Sequence, residues 1–277
     1  MKQSDSLKRR WRWRGYQQGD IGEMRGGIVE LVRVAGAAVG AVLVCLPMLV
    51  EARPRTPLRV FCIAAFEYLA RMGGETLGRE RRVAIAHACD FGSLRDEFYD
   101  EQKLDVTEYR SLRSALRRIA PEGATVRYIQ ELRKAERGRP ILSANAPGAP
   151  EAVVGYRESV IELSLRWLEG ISGLAVEAVR FQSLVSLVCL MQLADDLLDW
   201  KEDEAAKCPS YVTAFLLEQP RMGIGGALRS QADELFQRTV EAARRDAGVL
   251  PFAMVGVVTW ALVVALVKWR FPKGSSK

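Results

Sequence analysis

The chain contains one histidine, His87, among 277 residues. With a single imidazole, no GxSxG and no Cys/His signature, triad-type hydrolysis lacks its parts. His87 lies in the apolar run AIAHACD and reads as a packed helix residue. Cysteine is sparse as well. The five thiols, at positions 45, 62, 89, 189 and 208, include no CxxC pair. An odd, scattered set gives neither a disulfide framework nor a zinc site and suits a reducing cytosol. Sustained β-branched alternation is missing, which argues against a sheet. The basic N-terminus leads into no nucleic-acid-binding module, so nucleic acid is not an expected partner.

What is present is apolar sequence and charge. The composition is 49% hydrophobic and 27% charged, with a net charge of +6. That length and balance support one sizeable helical core. A basic surface suits anionic membranes or diphosphate substrates. Residues 1–26 are polar and basic, and Lys8 to Arg14 interleave arginine with Trp11 and Trp13. That pattern suits either a membrane interface or a free tail. Residues 27–50 are apolar apart from Glu30 and Arg33. A span takes about 20 residues, so this stretch fits either a span or a buried helix. Pro54 and Pro57 then break the chain.

Helices are predicted over 58–77, 80–103, 106–119, 124–137 and 153–169. Gly170 to Gly173 punctuate the chain before a long helix running into the 190s, and a further helix covers 229–245. Leu250 to Val267 is apolar throughout and is followed by Lys268, Trp269, Arg270 and Lys273. Such a run reads as a C-terminal membrane anchor, with a buried terminal core helix as the alternative. The resulting organisation is a basic tail at 1–26, a helical domain at 27–248 and a hydrophobic helix with a basic tail at 249–277.

Two acidic clusters stand out. Gln192, Asp195, Asp196, Asp199 and Asp203 form a polar stripe at the end of an apolar run, because residues three and four apart share a helix face. Asp96 and Asp100, one turn apart with Glu97 between them, close a second apolar run in the same way. Crowded carboxylates are costly unless a cation neutralises them. Mg²⁺ prefers oxygen ligands, commonly one or two carboxylates with phosphate completing the shell. Two such helix ends facing each other across a cavity would hold a diphosphate between metal ions, with apolar walls around a hydrocarbon.

The segment MQLADDLLD resembles the second aspartate-rich motif of polyprenyl diphosphate synthases, FQxxDDxxD. Its continuation, DWKEDEAAKCPSYVTAFL, is more similar to squalene and phytoene synthase relatives. DEFYDE resembles the first aspartate-rich motif with Glu97 in place of the second aspartate. The resemblance covers roughly 58–248. It implies an all-α fold, the helical bundle of class I terpenoid synthases around a central cavity, and Mg²⁺-dependent ionisation of a prenyl diphosphate.

In that resemblance the metal ligands are Asp96, Glu97, Asp100, Asp195, Asp196, Asp199 and Asp203. Asp96, Asp100, Asp195 and Asp199 carry the catalysis. Gln192, Lys201, Lys207 and Tyr211 contact substrate, with Ala205 to Tyr211 as a lid or diphosphate clamp. The paired arginines that follow the first motif in chain-elongating synthases are absent from 102–110. The Asn/Ser/Glu pattern of many terpene cyclases is absent from the second site. These departures weigh against elongation and leave cyclisation or head-to-head coupling. A prenyl-lipid binding protein without turnover and a prenyl diphosphate hydrolase are the rival functions. The expected setting is a membrane-associated protein with its catalytic domain in the cytoplasm, and a homodimer is compatible with the sequence.

Overall fold

The computed structural model describes residues 18–49, 56–101, 104–121, 123–142, 148–218 and 221–272. These form eleven α-helices, and no strand occurs among the described residues. The tail at 1–17, including its Trp/Arg repeat, lies outside them. In chain order the helices are α1 (Gln18–Leu49), α2 (Thr56–Met72), α3 (Arg79–Glu101), α4 (Val106–Ile119), α5 (Ala124–Arg137) and α6 (Ala149–Ser172). Then come α7 (Ala178–Leu198), α8 (Trp200–Ala206), α9 (Tyr211–Glu218) and α10 (Arg221–Arg245). A 3₁₀ turn, Ala247–Val249, opens α11 (Leu250–Arg270).

The bundle is organised around α7. This helix is apolar on almost every face, so it cannot lie at a surface facing water. Phe181, Leu184, Leu187, Leu190, Leu193 and Leu197 are all fully buried. Helices α6, α9, α10 and α11 pack around it. The predicted punctuation after Glu169 is a helix end at Gly173, whose φ of 66° needs the left-handed conformation glycine adopts freely. The chain reverses there, and α6 and α7 run antiparallel.

Cross-contacts fix the other directions. Arg33 Nη1 bonds the Met72 carbonyl at 3.1 Å, and Cys45 Sγ lies 3.7 Å from the Val60 carbonyl, so α1 and α2 are antiparallel. Arg180 near the start of α7 bonds Asp246 at 2.7 Å, and Arg270 at the end of α11 bonds the Leu198 carbonyl at 3.1 Å. Helices α7 and α11 therefore run side by side in one direction. Tyr68 donates to the Gly248 carbonyl at 2.7 Å, tying α2 to the base of α11. Gly248 has no room for a side chain: a Cβ there would stand 2.7 Å from Arg180 Nε.

Three helices are long and apolar enough to cross a membrane: 27–45 within α1, α7, and 247–270. They differ in setting. In α7, 67% of the residues are buried in the protein, against 22% and 33% in the other two. So α7 is a core helix, while α1 and α11 each bury one face and present aliphatic side chains on the other. The buried face of α11 carries Phe252, Gly256, Val263 and Val267, packed on α7 and α10.

This packing makes α11 continuous with the core. Truncation after Gly248 should leave α7 and α10 with an uncovered apolar face and yield an aggregated product, measured by sedimentation and circular dichroism. A folded truncate would show that the buried face contributes little. Val263→Asp should cost roughly 3 kcal/mol or more through an unpaired buried charge, read as a fall in denaturation midpoint.

Candidate functional site

Helices α2, α3, α5, α6 and α7 enclose a cavity of about 510 Å³. Its walls are helical stripes. On α3, Cys89, Gly92, Ser93 and Asp96 follow one another at spacings of three or four or as neighbours. On α5 the stripe is Tyr128, Leu132 and Glu136; on α6 it rises from Leu168 through Ser164 and Val160 to Arg157. On α7 it is Val188, Met191, Gln192 and Asp195. Three stripes thus finish in a charged residue, Glu136, Arg157 and Asp195, while on α3 Asp96 is followed one turn on by Tyr99, which ends that stripe. The antiparallel packing of α5 on α6 and of α6 on α7 brings these ends to one mouth. The floor is aromatic. Tyr128 and Trp167 stack with centroids 4.0 Å apart and planes 5° from parallel, and Phe91 meets Trp167 edge-on at 5.9 Å.

The two acidic motifs therefore meet at one cavity, through Asp96 and Asp195. Burial raises the pKa of Asp195, and the neighbouring charges of Asp196 and Asp199 push it the same way. Tyr128 is pushed up to about 12, first by burial; its contact with Ser164 opposes that and the charge of Asp96 adds to it.

The second motif divides its labour. Asp196 points inward and is 3% exposed. It accepts from Gln192 Nε2 at 2.8 Å and from the Tyr211 backbone N–H at 2.7 Å, and Arg157 Nη2 lies 3.8 Å away. This carboxylate joins α7 to α6 and to the start of α9, a structural position rather than an open ligand. Asp199 is exposed where α7 ends and α8 begins. Asp203 lies in α8, outside the cavity lining. Gln192 lines the cavity and also reaches Asp195 at 3.4 Å.

Three expected substrate contacts sit elsewhere. Tyr211 is fully buried, and burial together with Cys189 and Asp196 drives its phenol far up in pKa. Its contribution to the site is its backbone N–H. Lys201 and Lys207 are exposed on α8 and its end, and neither lines the cavity. Lys207 has φ 57°, the left-handed turn that stops α8. Glu97 is exposed on α3 beside the mouth but outside its lining, and the side chain of Asp100 lies outside the described residues.

Arg157 and Glu136 were not among the residues expected at the site. The available signal was that each ends an apolar stripe of its helix. Glu136 accepts from Tyr156 at 2.7 Å. All five cysteines are free and buried; Cys62 and Cys89 line the cavity.

Among the described residues, no three His, Cys, Asp or Glu side chains gather closely enough to hold an ion alone. The carboxylates lining the mouth are Asp96 on α3, Asp195 on α7 and Glu136 on α5, which accepts from Tyr156. That set fits Mg²⁺ only when a bound phosphate supplies the remaining oxygens, which is how this ion is usually held.

The two adjacent aspartates should respond oppositely to substitution. Asp196→Ala leaves the Tyr211 amide donor without its acceptor and removes the nearby charge from Arg157 in a buried site, and should cost roughly 3 kcal/mol. For Asp195, a pKa raised on folding means the folded state holds the proton more tightly. Its contribution favours folding below the unfolded pKa and is lost as pH rises through the folded pKa. Asp195→Asn should therefore match or exceed the wild type in melting temperature at pH 7. That advantage should fade below about pH 4, near the ordinary aspartate pKa. A clear drop at pH 7 would make Asp195 structural.

Compared with family models, curated proteins and solved structures, the chain matches none of them.

Proposed function

We propose that this protein is a Mg²⁺-dependent isoprenoid synthase of class I type, an enzyme that ionises a prenyl diphosphate. The observation that carries this reading is the meeting of Asp96 and Asp195 at the mouth of one apolar, aromatic-floored cavity. The diphosphate belongs at that mouth and the hydrocarbon on the floor. A cavity of about 510 Å³ lies within the usual range for small-molecule sites, roughly 300–1,000 Å³.

Asp96 and Asp195 would hold the ions. When bound, Mg²⁺ supplies electrostatic stabilisation for a departing diphosphate. Arg157 offers a fixed positive charge at the same rim. Gln192 keeps the Asp195 carboxylate aimed by a side-chain contact. The allylic C–O bond breaks, its electron pair leaves with the diphosphate oxygen, and positive charge remains on the hydrocarbon. The faces of Tyr128 and Trp167 suit that charge, since aromatic rings attract cations. The apolar walls keep water from the reacting carbon.

Cyclisation or head-to-head coupling is the reading favoured over chain elongation, because the paired arginines that follow the first motif in elongating synthases are absent from 102–110. A carrier that binds prenyl diphosphate without turnover, or a hydrolase that releases the alcohol, would use the same rim.

Radiolabelled farnesyl and geranylgeranyl diphosphate separate these outcomes. The expected result is Mg²⁺-dependent diphosphate release with a hydrocarbon product, identified by mass spectrometry. Chelation, Asp96→Ala and Asp195→Ala should each reduce release by about a hundredfold or more, the scale of losing electrostatic stabilisation at a reacting centre. Binding without release would establish a carrier, and prenyl alcohol as sole product would establish a hydrolase. Release unaffected by either substitution would end the proposal.

A further inference from the structure

The outer faces of α1 and α11 are aliphatic and exposed along most of their length. Val32, Val39 and Leu43 represent the first; Met254, Val258 and Leu262 represent the second. The 3₁₀ turn that opens α11 packs against α1. Both helices run in the direction of α7: α1 is antiparallel to α2, and the start of α2 lies at the cavity beside the end of α7. They thus form one flank of the bundle. Near the middle of α11 the polar groups are satisfied within the protein. The Thr259 hydroxyl donates to the Val255 carbonyl at 3.0 Å, and Trp260 Nε1 donates inward to Asp233 at 2.7 Å.

The ends of this flank identify what covers it. Helix α11 finishes in Lys268, Trp269 and Arg270, with Trp269 66% exposed and Arg270 4.1 Å above its ring. The sequence before α1 carries the Lys8 to Arg14 repeat with its two tryptophans. Tryptophan beside basic residues suits the boundary between acyl chains and anionic headgroups.

Length and hydropathy alone would let both helices span. The packing opposes it. Trp260 is the midpoint of α11, and the Asp233 it bonds is 48% exposed and lies 4.0 Å from the 51% exposed Arg229. One turn further along α10, half-exposed Arg238 bonds Glu158 and Glu234 at 2.6 Å each. A spanning α11 would carry these charges to the centre of the bilayer, where each is costly. On α1, the Glu30–Arg33 pair is open to solvent in the same way.

We infer that the protein is monotopic: it lies sideways on an anionic bilayer, with the outer faces of α1 and α11 in the membrane plane and neither helix crossing. This inference is independent of the diphosphate chemistry.

Because the native thiols are all buried, single added cysteines can be labelled selectively in the full-length protein. Val39→Cys, Met254→Cys, Val258→Cys and Ala265→Cys, each at an exposed site, would carry an environment-sensitive fluorophore. The probe is a vesicle of phosphatidylcholine and phosphatidylglycerol with nitroxides at shallow or deep acyl positions. In-plane helices bury roughly 5–10 Å deep, so the shallow nitroxide should quench about threefold more than the deep one at all four sites. Binding should also survive 1 M NaCl. A depth profile that is deepest at Val258 and shallower at Met254 and Ala265 would mean a spanning α11 and overturn the inference. Unquenched labels, with cross-linked dimers through the same sites, would replace the bilayer with a second copy and also overturn it. Release by salt alone would reduce the contact to surface charge and do the same.

Discussion

A single buried carboxylate holds the site end of the bundle together. Asp196 sits on the most buried helix, accepts the backbone N–H that starts α9, accepts the Gln192 amide, and faces Arg157 of α6. A charge in that position is tolerable because two donors and a cation face it, enough to offset the like charge of Asp195 beside it. The neighbouring Asp195 lines the cavity with Gln192 Nε2 3.4 Å from its carboxylate. Asp196 is built into the frame while Asp195 stays exposed at the cavity, and Arg157 lines the cavity while lying 3.8 Å from Asp196.

The helices were legible because their punctuation is strong. Asp105 caps α4 by accepting from the backbone N–H groups of Thr107 and Glu108, and Gly123 and Gly173 mark ends that need positive φ. Boundaries moved by a turn or more at α1, which starts before Gly27, at α10, which starts before Arg229, at α6, which starts at Ala149, and at α2, which ends at Met72 where Gly74 takes φ 83° rather than at Leu77. That Asp96 and Asp195 line one cavity was suggested by their shared place at the ends of apolar helical runs. The direction of Asp196 was not. Adjacent residues in a helix differ by about 100° around its axis, and only the position of α9 decides which aspartate turns inward. Tyr211 escaped for a related reason: its backbone, not its phenol, reaches the motif.

Hydropathy was least informative where three helices share it. A helix apolar all round can be a core element or a membrane element. In α7 it is the core that surrounds it, while α1 and α11 divide themselves between core and exterior. Their small residues serve the inner side. Val34, Ala37, Ala41 and Cys45 let α1 settle closely on α2, and a Cβ at Gly40 would stand 2.6 Å from Arg71 Nη1. Close approach, rather than residue polarity, marks the protein-facing side of these helices.

The stack of Tyr128 on Trp167 has an optical consequence. Two aromatic chromophores held parallel at 4.0 Å couple their electronic transitions, which gives this bundle a near-ultraviolet circular dichroism band tied to the cavity floor. The indole lies in a buried setting, and its N–H has no protein acceptor among the described residues. Its emission is therefore governed by whatever fills the space beside it. Trp167 is one of six tryptophans, but it is a lining residue, so it carries a native spectroscopic signal for occupancy without any added label.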